Sequence, residues 1–563
     1  MAESLWRKRL LALTAASLQL LLHSPGLAQQ AAPPAGPLPG ANIGRPQPPN
    51  AAVGNGPLGL GGPNFNGADA NGGGAANADF DSLIDLITST VANESWQENG
   101  TGEGEIQPFP NGVYVDAVGA LRFRPAMGTA GLTAARSRGL RSDPGANTTA
   151  ATAAQPQAAA ARADGVDELD RARQASELRF VSLPKLEAAI ADCQSRHRPL
   201  DPAMLSLAGL QRVRYVFVYP ESGDLVLAGP AGDWAGSPAG ALVSLETGRP
   251  VVRLDDLLTL WRRQRSEKST AFGCSIVPRQ EALAKTQAFL EASAAQPLEP
   301  SGRRKWLAEL RDTMGIQDVE YYHIDEDSRI ASLLLAADYH MKLIGMGLAE
   351  GVPSVKSYLA TVRNGADGTP PPMAVLRWWF SMPAATVDAS DAHDAFALPE
   401  RCICVLSENE MLAARGERIH TGQSDDLNWR FAESFTQEFA AIAQKYPVYG
   451  ELERVFELAL ALAVIEQEGL TEKVGWAPTL LLDEQRLRLP KSPAPKAVET
   501  VINHRVVGGR QIIAGVSGGV WVDGGKSLQV AANASPAGGK LAAAKTAPAK
   551  SDAKDGAIAW WWD

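Results

Sequence analysis

Six residues carry the chemistry of a divalent-metal or hydrolytic site: His323, Asp325, Asp327, Asp338, His340 and His504. Imidazole nitrogens and carboxylate oxygens are metal ligands, and the same groups serve as general acids and bases. Their spacing argues against a local motif. His323, Asp325 and Asp327 fall at a strand–helix junction, whereas Asp338 and His340 lie three turns along the following helix. Positions i and i+2 of a helix point to different faces. Acids before a helix also favour its positive end, and Asp338 has Lys342 one turn on as a ready partner. No catalytic residue, cofactor-binding residue or metal ligand is therefore assigned, and no cofactor is implied.

Three further patterns invite a chemical reading. Cys402-Ile403-Cys404 would place two thiols side by side on one face of a strand, but no nearby His or Cys completes a metal or redox set, so buried, inert thiols are expected. Export would permit a disulfide, and Cys193 with Cys274 is the pair to consider. Gly515-Val516-Ser517-Gly518-Gly519 has the letters of a nucleophile elbow. The elbow needs a helix after the serine and a downstream histidine, whereas Val520-Trp521-Val522 reads as strand, so a hairpin turn is expected. Gly54 to Gly59 matches a dinucleotide fingerprint by letter alone, with no strand ahead of it.

The elements that must position these residues alternate between helix and strand. Helices are expected over Asp79 to Ala92, Pro184 to Arg196, Leu254 to Arg265, Arg279 to Ala295, Trp306 to Met314 and Ile330 to Leu348. Strands are expected over Val213 to Tyr219, Asp224 to Ala228, Phe272 to Val277, Val319 to Ile324, Met373 to Met382 and Arg401 to Leu406, with a hairpin in Gly112 to Phe123 around Gly119. Asn428 to Lys445 and Tyr449 to Gly469 read as an αα-hairpin whose second helix is apolar nearly all round, hence central. Val501 to Val522 reads as a terminal β-hairpin broken at Gly508-Gly509 and Gly518-Gly519. The fold class is α+β: a helix-rich, multi-segment globular region with antiparallel hairpins. Trp378-Trp379-Phe380 on one strand puts Trp379 opposite its neighbours, so either a large ring is exposed for a carbohydrate or protein contact or the strand is buried on both faces.

The chain opens with Arg7, Lys8 and Arg9, an apolar run from Leu10 to Leu22, a break at Pro25-Gly26 and small residues before Gln29. That is the order of a signal peptide, residues 1–28, and the run is short for a membrane span. The expected location is exported, in the periplasm or at the cell surface, with no transmembrane helix in the mature chain. The 53 Gly and 38 Pro concentrate in Ala/Gly/Pro-rich stretches that cannot bury enough apolar surface to offset chain entropy. The expected organisation is a disordered linker at 29–78, a small helix-plus-hairpin module at 79–124 and a second linker at 125–165. An α+β domain at 166–324, a helix-rich domain with a terminal hairpin at 325–532 and a disordered tail at 533–563 follow. The net charge of −10 and the lack of a basic stripe exclude nucleic acid as a partner class. The tail ends in Trp560-Trp561-Trp562-Asp563, read as an exposed docking peptide for an envelope or cell-surface protein partner or for a membrane interface. The alternative is a strand tip tucked into the chain's own body.

Ala336 to Gly347, Arg377 to Phe380, Phe431 to Pro447, Asn503 to Val507 and Gly515 to Val520 together resemble an uncharacterised family of exported planctomycete proteins, known only by a domain of unknown function. The resemblance runs over roughly Val166 to Val522, and the small module resembles a segment recurring in such proteins. It implies no activity or catalytic residue. One departure is His340, where a basic residue is expected after Asp338-Tyr339.

Two function classes remain: a non-catalytic envelope or cell-surface protein that binds or organises other components, and an exported hydrolase, metal-dependent or not, whose site assembles from dispersed residues. The second requires the histidines and acids to converge in space.

Overall fold

Strong β-formers alternate along most of the strands, and hydroxyl or carboxylate caps start several helices. The computed structural model describes residues 105–109, 112–116, 169–237, 241–294, 302–363, 375–412, 418–507, 510–532, 541, 544–545 and 559–563. The signal peptide, both linkers and the Asp79 to Ala92 helix lie outside the described residues. In chain order, β1 (Glu105–Phe109) pairs antiparallel with β2 (Gly112–Asp116), Phe109 facing Gly112. Gly112–Asp116 thus pairs back with Glu105–Phe109, and the expected turn at Gly119 lies outside the described residues.

The larger body begins with β3 (Ser176–Ser182) and α1 (Leu183–Ser195), whose Ser182 hydroxyl accepts from the Lys185 amide at 3.3 Å with Pro184 in the first turn. Then come β4 (Tyr215–Tyr219), β5 (Asp224–Ala231), β6 (Trp234–Gly236), β7 (Leu242–Ser244), α2 (Leu254–Glu267), β8 (Ala271–Pro278), α3 (Gln280–Ala294), α4 (Arg303–Met314) and β9 (Ile316–Tyr322). Helix α5 (Arg329–Gly345) is capped by Ser328, whose hydroxyl accepts from the Ala331 amide. It is followed by β10 (Val375–Ser381), β11 (Ala385–Ala389), β12 (Ala395–Ala397), β13 (Cys404–Leu412) and β14 (Arg418–His420). The expected αα-hairpin is three helices: α6 (Asp426–Gln437), α7 (Phe439–Lys445) and α8 (Pro447–Gln467), with Pro447 in the first turn of the last. The chain closes with β15 (Ala497–Glu499), β16 (Ile502–Val507), β17 (Arg510–Asp523), β18 (Leu528–Ala532) and β19 (Trp561–Trp562).

The α+β class holds. An eight-stranded sheet runs β14-β13-β10-β17-β8-β9-β15 with β16 also on β17, and a seven-stranded sheet runs β18-β11-β12-β4-β5-β3-β19. Both sheets draw strands from either side of residues 324–325. Nearly all neighbours are antiparallel. The exceptions are β10 beside β17 and β11 beside β18, so two stretches of chain travel together, parallel, from one sheet into the other. Helix α5 lies on β8, β10 and β17, and α8 packs on α5 while touching β17 and β18, one strand of each sheet. Leu452, Val455, Phe456, Leu458, Leu460 and Ile465 of α8 are all buried, as its all-round apolarity requires. Among the described residues, no helix is long and apolar enough to cross a membrane.

One expectation fails in this core, and one open alternative is decided. Gly515–Gly519 is not a turn but the middle of β17, because Gly518, at φ +137°, lets the strand pass where a Cβ would sit 1.6 Å from the Trp378 carbonyl oxygen. For Trp379 the buried alternative holds: Trp378 and Trp379 are 0% and 1% exposed, on the two faces of a strand covered on both sides.

Candidate functional site

The pool of acids and histidines does not converge. His323, at φ +50°, pairs with Glu267 at the surface. Asp325 accepts from the Asp327 amide at 3.0 Å, a turn contact, and Asp327 pairs with Lys491 at 2.7 Å. Asp338 and Lys342 form a buried ion pair inside α5, beneath β8, where burial raises the carboxyl and lowers the ammonium. His340 leaves the same helix toward Tyr449, whose hydroxyl lies 3.0 Å from Nδ1, and its ring stands edge-on to Tyr446. Burial, with Lys445 adding to it, pushes His340 down to about 3, so it is a neutral core histidine. His504 sits on β16 opposite Ile513; its side chain lies outside the described residues. The four cysteines are free, Cys193 and Cys274 included. Cys402 precedes β13 and Cys404 begins it, and burial raises both thiols, Cys404 to about 12, which makes them unreactive.

A different set does converge, on the face of the eight-stranded sheet away from α5. Cross-strand pairing decides its membership. On β10, Leu376, Trp378 and Phe380 alternate with Arg377 and Trp379, and the first set meets helices: Trp378 packs on Phe431 with ring centroids 4.2 Å apart and donates from Nε1 to Asn428. Arg377 therefore points the other way, directly opposite Glu408 on β13 and Ser517 on β17, while Glu410 on β13 faces His420 on β14. Residues paired directly across a ladder share a face.

The side chains meet accordingly. Arg377 Nη1 is 3.3 Å from Glu408 Oε2 and 3.2 Å from His420 Nδ1, and Arg377 Nε is 4.0 Å from Glu410 Oε1. His420 Nδ1 is 3.3 Å from Glu408 and 3.1 Å from Glu410. The Ser517 hydroxyl donates to Glu410, and the Gly422 amide donates to Glu408 at 2.7 Å. The Arg377 guanidinium lies over the Trp379 ring, 4.9 Å from its centroid. Arg377, Glu408 and Glu410 are buried and His420 is exposed, so the cluster reaches solvent at the imidazole. Burial holds Arg377 below the usual guanidinium range, against the pull of Glu410 and Glu408.

One ligand atom each from Glu408, Glu410 and His420 lies within 4.8 Å of the others, a spacing that would admit a divalent cation. The Arg377 guanidinium already lies beside both carboxylates, where a cation would sit. As it stands, the group is a buried ion cluster tying β10, β13, β14 and β17 together.

The C-terminal tip is a second built arrangement. It is not an exposed peptide: Trp560, Trp561 and Trp562 are 1%, 6% and 9% exposed, and β19 adds antiparallel to β3, Trp561 facing Val181 and Trp562 facing Phe180. The reason is the edge of β3, which offers unpaired backbone and an aromatic wall. The Ser182 amide donates to the Trp560 carbonyl at 2.9 Å. Trp562 stacks on Phe180, centroids 5.4 Å apart and rings parallel. The buried Arg179 holds Asp563 through Nε at 2.7 Å and Nη2 at 3.0 Å, and its guanidinium lies 4.5 Å from the Trp561 ring centroid, with Arg171 at 5.4 Å.

Residues 274–358, from β8 through α5, match a family described as a protein of unknown function (DUF1598). That region holds Asp338, His340 and Lys342 but neither the Arg377 cluster nor the docked tip. No curated protein matches the chain, and no solved structure does.

Proposed function

We propose that the chain is an exported, non-catalytic envelope or cell-surface protein that binds or organises other components. The observation that supports this reading is the docked tip. An extended segment is held by strand addition at a sheet edge, with aromatic anchors and a two-point carboxylate–guanidinium contact, which are the parts of a peptide-recognition surface. Affinity comes from the backbone ladder and the buried rings, and selectivity from Arg179, which accepts a planar carboxylate and rejects a cation.

The test uses full-length chain carrying Trp561→Ala and Trp562→Ala, so that its own tip competes weakly. A fluorescent Ala-Trp-Trp-Trp-Asp peptide is titrated against it, and N-terminal sequencing of the native protein is done alongside. Saturable binding, lost when the peptide ends in Arg instead of Asp, and a mature chain starting at Gln29 are expected. A peptide that does not bind, or a native chain that starts at Met1 in the cytosol, removes the reading.

A second reading is favoured by one observation, the spacing of the Glu408, Glu410 and His420 ligand atoms: a metal-dependent exported hydrolase. It requires stoichiometric divalent metal in the purified mature protein, lost in Glu410→Gln. Metal-free protein would end it.

A further inference from the structure

Glu408, Glu410 and His420 are oriented as a ligand set. Each carboxylate has one oxygen tied back: the Gly422 amide donates to Oε1 of Glu408 at 2.7 Å, and the Ser517 hydroxyl donates to Oε2 of Glu410 at 3.3 Å. The oxygens that face His420 are the other two, Oε2 of Glu408 at 3.3 Å and Oε1 of Glu410 at 3.1 Å from Nδ1. Hydrogen bonds behind the donor atoms fix their direction, as the second layer of a metal site does. Gly422, at φ +66°, supplies one of them from the turn that follows β14.

The distances suit a cation. Ligand atoms about 2.0–2.2 Å from a tetrahedral ion stand about 3.3–3.6 Å from one another. Both separations from Nδ1 are close to this, and all three donors lie within 4.8 Å of one another. In hydrogen-bond terms alone the arrangement is contradictory. Nδ1 carries either a proton or a lone pair. A proton there suits the two carboxylates but opposes Arg377 Nη1 at 3.2 Å, whereas a lone pair suits the guanidinium but opposes both carboxylates. A cation between the three donors removes the conflict, because two carboxylates and an imidazole lone pair can all point at it. The cluster already contains one cation. Arg377 faces the same two inward oxygens, with Nη1 3.3 Å from Glu408 Oε2 and Nε 4.0 Å from Glu410 Oε1. It also has a second seat, since its guanidinium lies over the Trp379 ring. Both carboxylates are buried and the imidazole is exposed, so an ion enters past His420.

We infer that Glu408, Glu410 and His420 bind one zinc-class divalent ion in exchange for Arg377, which occupies the slot until the metal displaces it toward Trp379. The donors select the class. An imidazole with two carboxylates and a water suits zinc or cobalt, whereas calcium takes about six to eight oxygens and magnesium keeps oxygen ligands and several waters. The ligand set is that of the metal-dependent reading, on which the inference rests. The exchange with Arg377 and the class of ion go beyond that reading, and neither requires hydrolysis.

Metal titration of the full-length chain tests it. Protein stripped with EDTA is titrated with Co²⁺, which absorbs visible light intensely when four-coordinate. One equivalent is expected to develop that absorption and to lose it when Zn²⁺ is added, with no effect of excess Mg²⁺ or Ca²⁺. His420→Ala, at an exposed position, and Glu410→Gln each abolish it. Arg377→Met is expected to bind at least about tenfold more tightly, because a competing unit charge a few ångströms away outweighs that factor even at an effective dielectric of about 20. If the Met variant does not fold by circular dichroism, Arg377→Lys replaces it. A compact ammonium does not span both carboxylates, so tighter binding is again expected. Absence of saturable binding in the native chain and in the Arg377 variant overturns the proposal and the metal-dependent reading together, and leaves the reading of the β3 edge untouched. Binding that is equal or weaker in the Arg377 variant overturns the exchange. Binding that survives both His420→Ala and Glu410→Gln puts the ion elsewhere and overturns the site. Metal bound as expected by a chain without hydrolase activity upholds the proposal and removes only the hydrolase, so the two failures are distinct.

Discussion

Replacing Arg377 by Met isolates what the buried ion cluster contributes. Methionine keeps much of the side-chain volume beside Trp379 but removes the cation that faces Glu408 and Glu410. Both carboxylates are buried, so they lose a partner where water cannot replace it. Breaking a buried pair by removing one member costs about 3–5 kcal/mol. For a cooperative unit of roughly 350 residues, about 2.1 cal/mol/K per residue of unfolding entropy converts this into a Tm lower by about 4–7 °C. Differential scanning calorimetry of both proteins measures the loss directly. A deficit under 1 °C at pH 7.5 would refute the account of a buried ion cluster held by Arg377. Adding a divalent cation to the Met variant separates the two functional readings. Recovery of the lost Tm by micromolar metal supports a ligand set at Glu408, Glu410 and His420.

His340→Phe tests the neutral core histidine. The folded value of about 3 lies below the ordinary 6.5, so the unfolded chain takes up a proton that the folded one refuses, and native stability falls on acidification from pH 6.5. The variant loses the Tyr449 contact, about 1 kcal/mol at pH 7, but its unfolding free energy from denaturant titrations between pH 6.5 and 4 falls less steeply, by up to ~1.4 kcal/mol per unit; parallel curves would contradict the assignment. Gly518→Ala places a Cβ against the Trp378 carbonyl at φ +137° and is expected to cost about 3 kcal/mol or more. Gly422→Ala, at φ +66° with open space around it, should cost about 1 kcal/mol, and equal melting points for the two would show that β17 does not need its glycine.

Local pattern made much of the fold legible, and it failed where the answer lay in a distant partner. The β4–β5 hairpin, the capped α1 and α5 and the all-apolar α8 each declare themselves within a window of a few residues, because period, cap and turn are local physics. The Arg377 cluster had one local trace, Ser407-Glu408-Asn409-Glu410, where two acids at i and i+2 must share a strand face. Its meaning depends on Arg377 from β10, Ser517 from β17 and His420 from β14, whose adjacency follows from the parallel run of β10 beside β17 that no hairpin rule anticipates. Trp379 was left open for the same reason: alternation separates two faces of a strand but does not say whether both are covered. For His323 and His340 the residue type suggested chemistry, while each found a separate partner, Glu267 and Tyr449. The tip was read first as exposed because a Lys- and Ala-rich tail has no core of its own, and the wall it docks on belongs to a strand near the start of the described body. Composition measures what a segment can bury by itself. Strand addition depends on what another segment has left exposed, so an edge such as β3 and an aromatic tail must be read together before either can be called free.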